Sequence, residues 1–117
     1  MTTEAVTEQE FERVAEGALH ALEGALSDLD GLEVSLQMGI LTLEFADGTR
    51  YVVNSHRAAR QIWMAAEHNA WHFNYVPAAG SEPHGPRWIA SKSGDELWAT
   101  LGAVTSRKLG RPIVLAQ

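Results

Sequence analysis

The chain has no cysteine in its 117 residues. That excludes disulfides, zinc-thiolate sites, iron-sulfur ligation by thiolates and cysteine nucleophiles. Long apolar runs are missing too. Met1 to Glu10 are polar and acidic, so neither a signal peptide nor a transmembrane segment is expected, and a cytoplasmic location is the reading. Basic residues are scarce at the start: residues 1–33 carry Glu4, Glu8, Glu10, Glu12, Glu16, Glu23, Asp28, Asp30 and Glu33 against Arg13 alone. The rest of the chain holds six acidic and eight basic side chains, and the formal net charge is −6. The acidic third would repel phosphate, so no nucleic acid and no membrane partner is expected, whereas a cation or a basic protein surface would be attracted. No internal repeat, glycine-rich phosphate loop or GxSxG elbow is present, and no catalytic residue or organic cofactor site is expected. Proline is confined: three of the four lie in Pro77–Pro86, together with Gly80 and Gly85, which predicts a loop through which no strand can run.

What is present is the composition of one globular domain, 45% hydrophobic and 21% charged. Its centre is an alternating ribbon. Leu41, Leu43 and Phe45, then Tyr51 and Val53, recur at period two and predict one buried face. Between them Ala46-Asp47-Gly48 predicts a three-residue loop with Gly48 left-handed, pairing Phe45 with Thr49 and Leu43 with Tyr51. The opposite face then carries Ile40, Thr42, Glu44, Arg50, Val52 and Asn54. Further strands around Trp63 and His72 add Gln61, Trp63 and His72 to that outer face if Ile62, Met64 and Phe73 point inward.

Thr7 to Glu10 reads as a capping box, and Phe11, Val14, Ala15, Ala18, Leu19, Leu22, Ala25, Leu26 and Leu29 form an apolar stripe, so a helix is expected from here to Asp30-Gly31. Glu12, Glu16, His20, Glu23, Ser27 and Asp30 share another face of it. Leu32, Val34, Leu36 and Met38 alternate with polar residues as a first strand, and Gly39 permits a tight reversal. Arg87 to Ser91 resumes the sheet. Ser93 to Glu96 reads as a second capping box, with Leu97, Trp98, Leu101 and Val104 as the buried stripe and Gly110 before Pro112 as the stop. Ile113-Val114-Leu115 is an apolar stretch suited to packing beside the helices. Trp71, Phe73, Tyr75, Trp88 and Trp98 are assigned to the core, since aromatics bring large buried area.

The order helix, five to six antiparallel strands, helix, together with Gly39-Ile40-Leu41-Thr42-Leu43-Glu44-Phe45, Asp47-Gly48-Thr49, Asn54, Gln61-Ile62-Trp63, His72-Phe73, Trp88-Ile89 and Ser93-Gly94 before Leu97-Trp98, resembles the frataxin family of the bacterial CyaY type. The resemblance spans nearly the whole chain. It implies an α+β fold, a two-layer sandwich with both helices on one face of the sheet. The single domain would run over 1–117, with a disordered 1–6, the 77–86 loop and a 111–117 tail. It further implies a monomer that binds iron weakly as Fe2+ or Fe3+ and regulates iron-sulfur cluster assembly on the cysteine desulfurase and its scaffold protein, with ferroxidase activity as a by-product at most. The family's acidic ridge maps here to Glu23, Asp28, Asp30 and Glu33, which Glu16 and His20 could join. Its exposed sheet face maps to Asn54, Gln61, Trp63 and His72, the partner surface. Two segments depart from the family pattern. Gly24, Ala25 and Ser27 thin the run of carboxylates, implying lower iron affinity, and Asn54-Ser55-His56-Arg57-Ala58 lacks the family's glutamine and proline. Outside the family, a small acidic dimeric secretion chaperone and a ferroxidase or haem-binding protein are the competing readings.

Overall fold

A computed structural model describes residues 7–77 and 87–115. The expectations for 1–6 and for 78–86 lie outside the described residues. Helix α1 (Glu8–Ser27) is followed by β1 (Leu32–Gln37), β2 (Ile40–Phe45), β3 (Arg50–His56), β4 (Gln61–Ala66), β5 (Asn69–Val76), β6 (Arg87–Ala90) and α2 (Leu97–Leu109). The six strands form one antiparallel sheet in sequence order. Each connection from β1 through β5 is therefore a hairpin.

The core lies between the sheet and the helices. Phe11, Ala15, Leu19, Leu22 and Leu26 on α1 meet Leu41, Leu43, Val53, Ile62, Met64 and Phe73 from alternating strand positions, and Leu97, Trp98, Leu101 and Val104 of α2 close the layer. Steps of three and four along the helices and of two along the strands bring these side chains to one interface, as burial of apolar area requires. Phe11 meets Trp88 edge to face at 6.0 Å, tying α1 to the far strand β6. Trp71 and Tyr75 pack at the margin of this cluster, half-buried.

The β2–β3 loop has the expected register: Phe45 and Thr49 are bonded by Phe45 N–H to Thr49 O at 2.9 Å, Leu43 pairs with Tyr51, and Gly48 takes φ 89°. Thr7 caps α1 by accepting from the Glu10 amide at 3.0 Å.

Three details correct the sequence reading. Met38 does not continue the inward alternation of β1; it and Gly39 form a two-residue reversal with φ 53° and 79°, and Met38 is 99% exposed. Two positive φ values at a hairpin tip match the twist of the flanking strands, so the strand ends at Gln37. Helix α1 ends at Ser27 with Asp28 as its cap, three residues before Gly31. Finally, the cap of α2 is Glu96, whose carboxylate accepts from Trp98 N at 2.9 Å and Ala99 N at 3.0 Å. Asp95 is still held to the sheet edge, with its carbonyl accepting from Ala90 N at 2.7 Å, so the helix cannot begin earlier; Ser93 instead bonds Asp95. The segment after α2 does pack back: Ser106 Oγ accepts from Ile113 N at 2.8 Å and donates to Ile113 O, and Leu115 reaches the core.

Candidate functional site: the outer sheet face and the acidic helix

The outer face of β3, β4 and β5 is built by cross-strand register. Asn54, Trp63 and His72 are directly opposed on three consecutive strands, and Gln61 is opposed to Asn74. Trp63 is the centre. The His56 ring stacks on it at 3.8 Å and 14°, and the His72 ring stacks at 4.3 Å and 12°, one from each neighbouring strand. The indole is thereby sandwiched and presents its edge outward. Its Nε1–H donates to Gln61 Oε1 at 2.8 Å, and Gln61 Nε2 donates to Asn74 Oδ1 at 3.0 Å, so the indole rotation is fixed by a hydrogen-bond chain. A large aromatic held rigid on a solvent face is costly in solvation and useful in recognition, because little rotamer freedom is lost when a partner closes over it.

Asn54, Gln61, Trp63 and His72 thus gather where the sequence put them. His56 and Asn74 were missed. His56 continues the period two of Val52 and Asn54 past the polar Ser55 and pairs with Gln61. That continuation was the available signal. Its Nδ1 accepts from Ala59 N at 3.3 Å, which ties the ring to the turn below it.

The acidic helix is different in kind. His20 lies 3.9 Å from Glu16 and 3.8 Å from Glu23, with all three on an exposed face of α1. Asp28 caps the helix, Asp30 lies in the following turn, and Glu33 stands on β1 opposite Glu44, which pairs with Arg50 at 3.5 Å. Among the described residues no group of three His, Asp or Glu side chains is gathered closely enough to hold a metal ion. The donors suit a hard cation in chemical type, as carboxylate oxygens, but they form a row and not a cage. At one end of that row Arg111 donates to the Asp30 carbonyl at 2.8 Å. At the other, Arg57 Nε meets Glu12 at 2.7 Å and Glu8 at 3.7 Å.

Two other polar contacts brace the strand ends. The Lys108 ammonium, 2.6 Å from Asp47 and 3.0 Å from Thr49 Oγ1, holds the Asp47 carboxyl well below the usual carboxylate range. Burial, and then its hydrogen bond to Glu67 at 2.7 Å, pushes the Tyr51 phenol up to about 12.

A helix-sheet-helix sandwich whose open sheet face carries a fixed tryptophan, on the side away from an acidic first helix, defines a small two-layer α+β domain. The Frataxin-like domain profile matches residues 4–111, and the chain belongs to the frataxin family of the bacterial CyaY type. It is 34% identical to the iron-sulfur cluster assembly protein CyaY of Janthinobacterium sp. (strain Marseille), over 94% of this chain and 96% of that one. It is 30% identical to the protein of the same name from Paraburkholderia phymatum, over 95% and 99%. A solved frataxin from Psychromonas ingrahamii superposes with a TM-score of 0.82 at 22% identity, covering 96% of this chain and 100% of that one, a likeness of fold. No helix among the described residues is long and apolar enough to cross a membrane.

Proposed function

We propose that this protein acts in iron-sulfur cluster assembly, as its curated relatives are named for doing, by docking on a cysteine desulfurase and its scaffold protein. The observation that carries the reading is the His56–Trp63–His72 stack, a rigid aromatic platform left open on the sheet while every other tryptophan is packed at or against the core. In this reading the sheet face, with Asn54 and Gln61 beside Trp63, meets the scaffold. The acidic helix and its following turn face a basic groove of the desulfurase. Iron binds there weakly and exchanges fast, through separate exposed carboxylates of Glu16, Glu23, Asp28, Asp30 and Glu33 with His20 in reach, because monodentate sites without burial gain little. Bound iron lowers the negative charge of the helix and so weakens or re-orients docking, a physical route from iron level to assembly rate. The protein works as a monomer, and its role is regulation of a partner enzyme.

The two surfaces are separable by mutation. W63A is expected to lose scaffold binding by at least about tenfold, the usual cost of truncating a central aromatic anchor, while leaving desulfurase binding intact. Neutralising Glu23, Asp28, Asp30 and Glu33 together is expected to do the reverse and to abolish iron binding measured by calorimetry. Unchanged affinities in both variants, with both still folded, would sink the proposal.

A further inference from the structure

The two surfaces are joined by one side chain. Arg57 sits in the four-residue turn Arg57–Arg60 between β3 and β4, directly after His56. Its guanidinium leaves the sheet and reaches α1, where Nε stands 2.7 Å from Glu12 and 3.7 Å from Glu8. The same turn is bonded from within: Arg60 N donates to Arg57 O at 3.1 Å, and Ala59 N donates to His56 Nδ1 at 3.3 Å. His56 in turn stacks on Trp63 at 3.8 Å, and Trp63 on His72 at 4.3 Å. An unbroken series of contacts therefore runs from the first two turns of the acidic helix to the outer sheet face. Without the anchor, the turn would be held by its own bonds and by the His56–Gln61 ladder pair that closes it, with Arg60 in a left-handed conformation, φ 53°, that a residue with a side chain resists.

We infer that Arg57 is a positioning residue for the aromatic face: anchored on Glu12 and Glu8, it fixes the β3–β4 turn so that the His56 ring stays stacked against Trp63. The anchor is exposed, with about two thirds of the Arg57 side chain and half of the Glu12 side chain open to water. An ion pair of that exposure is weak and readily exchanged. The acidic helix thus biases the shape of the sheet face without locking it. Only the consequence for binding rests on the docking reading above; the positioning itself is a matter of geometry.

The test is a charge swap read by nuclear magnetic resonance on the full chain. In R57E the new carboxylate is repelled by Glu8 and Glu12, and the indole N–H resonance of Trp63 is expected to move, while those of Trp71, Trp88 and Trp98 stay as internal controls of the fold. E12R should move the same resonance, by setting a second guanidinium beside Arg57. In R57E/E12R the cross-bridge is rebuilt with opposite polarity, and Trp63 is expected to return toward its original position; R57K, which keeps the charge, should leave it nearly unmoved. A purely local role of position 57 in the turn would not be rescued by a change on the helix. A Trp63 resonance that ignores R57E, or one that moves and is not restored by the swap, would overturn the inference. In a parallel titration with the scaffold protein, R57E is expected to weaken binding by up to about fivefold, the ceiling set by an exposed ion pair. A Trp63 that responds as stated while scaffold affinity does not change would leave the positioning role standing and count against the docking reading.

Discussion

At residue scale, two side chains carry properties that no composition reveals. Met38 is held outward by a reversal in which both residues have positive φ, and its thioether is almost wholly in solvent, while Met64 is 2% exposed. Dilute hydrogen peroxide is therefore expected to convert Met38 to the sulfoxide well before Met64, which peptide mass mapping would read directly; equal rates would mean the β4 core opens as often as the turn. Tyr51 is the second. Its hydroxyl donates to Glu67, which sits at φ 57° in the β4–β5 hairpin, so one hydrogen bond steadies a conformation that costs about 1 kcal/mol. Y51F should lower stability by about 1 kcal/mol at neutral pH, the usual net worth of such a bond. The sign of the pH effect is fixed by the raised pKa. Because the folded phenol titrates at about 12 and the unfolded one near its ordinary value of 10.0, the contribution is whole below pH 10 and lost as pH rises toward 12. Chemical denaturation across that window should show the loss in the native chain, beyond what Y51F shows.

At the scale of elements, the alternation in β2 and β3 and the three-residue loop between them were legible because a one-residue slip would turn Leu43 and Tyr51 to solvent. The faces of β4 and β5 were legible for the same reason, which is why Trp63 and His72 were placed correctly. Element ends were less so. Nothing in Ser93-Gly94-Asp95-Glu96 announces that Asp95 remains bonded to Ala90, and that tertiary bond delays the start of α2. His56 was missed because polar residues after Asn54 resemble a loop, although the strand continues through them. The β1–β2 reversal carries its own test: a Cβ at Gly39 would stand 2.7 Å from Ser55 Oγ at φ 79°. G39A should cost about 1–2 kcal/mol, measured by thermal or denaturant unfolding, through left-handed strain and that close approach. The brace between α2 and the β2–β3 loop adds an acid-side effect. Asp47 has its carboxyl depressed by Lys108, so the stability it contributes is present above its ordinary value of 3.8 and lost as pH falls below it. D47N should flatten stability against pH in the acid range; an unchanged slope would place the source elsewhere.

At the scale of the whole molecule, charge is arranged as a gradient. Within the acidic first third, residues 8–31 form α1 and its following turn, and the mixed remainder forms most of the sheet and α2. Such a molecule is steered by its field, and its association with a basic partner should slow as ionic strength rises, whereas contacts centred on Trp63 should be little affected by salt. The family and the fold could be read from the chain because many weak signals agree in order and spacing. The row of carboxylates could not be read to the same depth: they show their sign in a sequence, but whether they converge depends on where a helix stops, and α1 stops at Ser27, leaving Asp28 and Asp30 outside it.

In the proposed function this domain alters the output of a desulfurase in response to iron. This response is tested most directly by the rate of sulfide release by the source organism's cysteine desulfurase and scaffold, with and without this protein, in the presence and absence of ferrous iron. Adding the protein is expected to change the rate by an amount that depends on iron, an effect lost in the variant with Glu23, Asp28, Asp30 and Glu33 neutralised. A rate that ignores the protein under both conditions, with the desulfurase itself active, would contradict it.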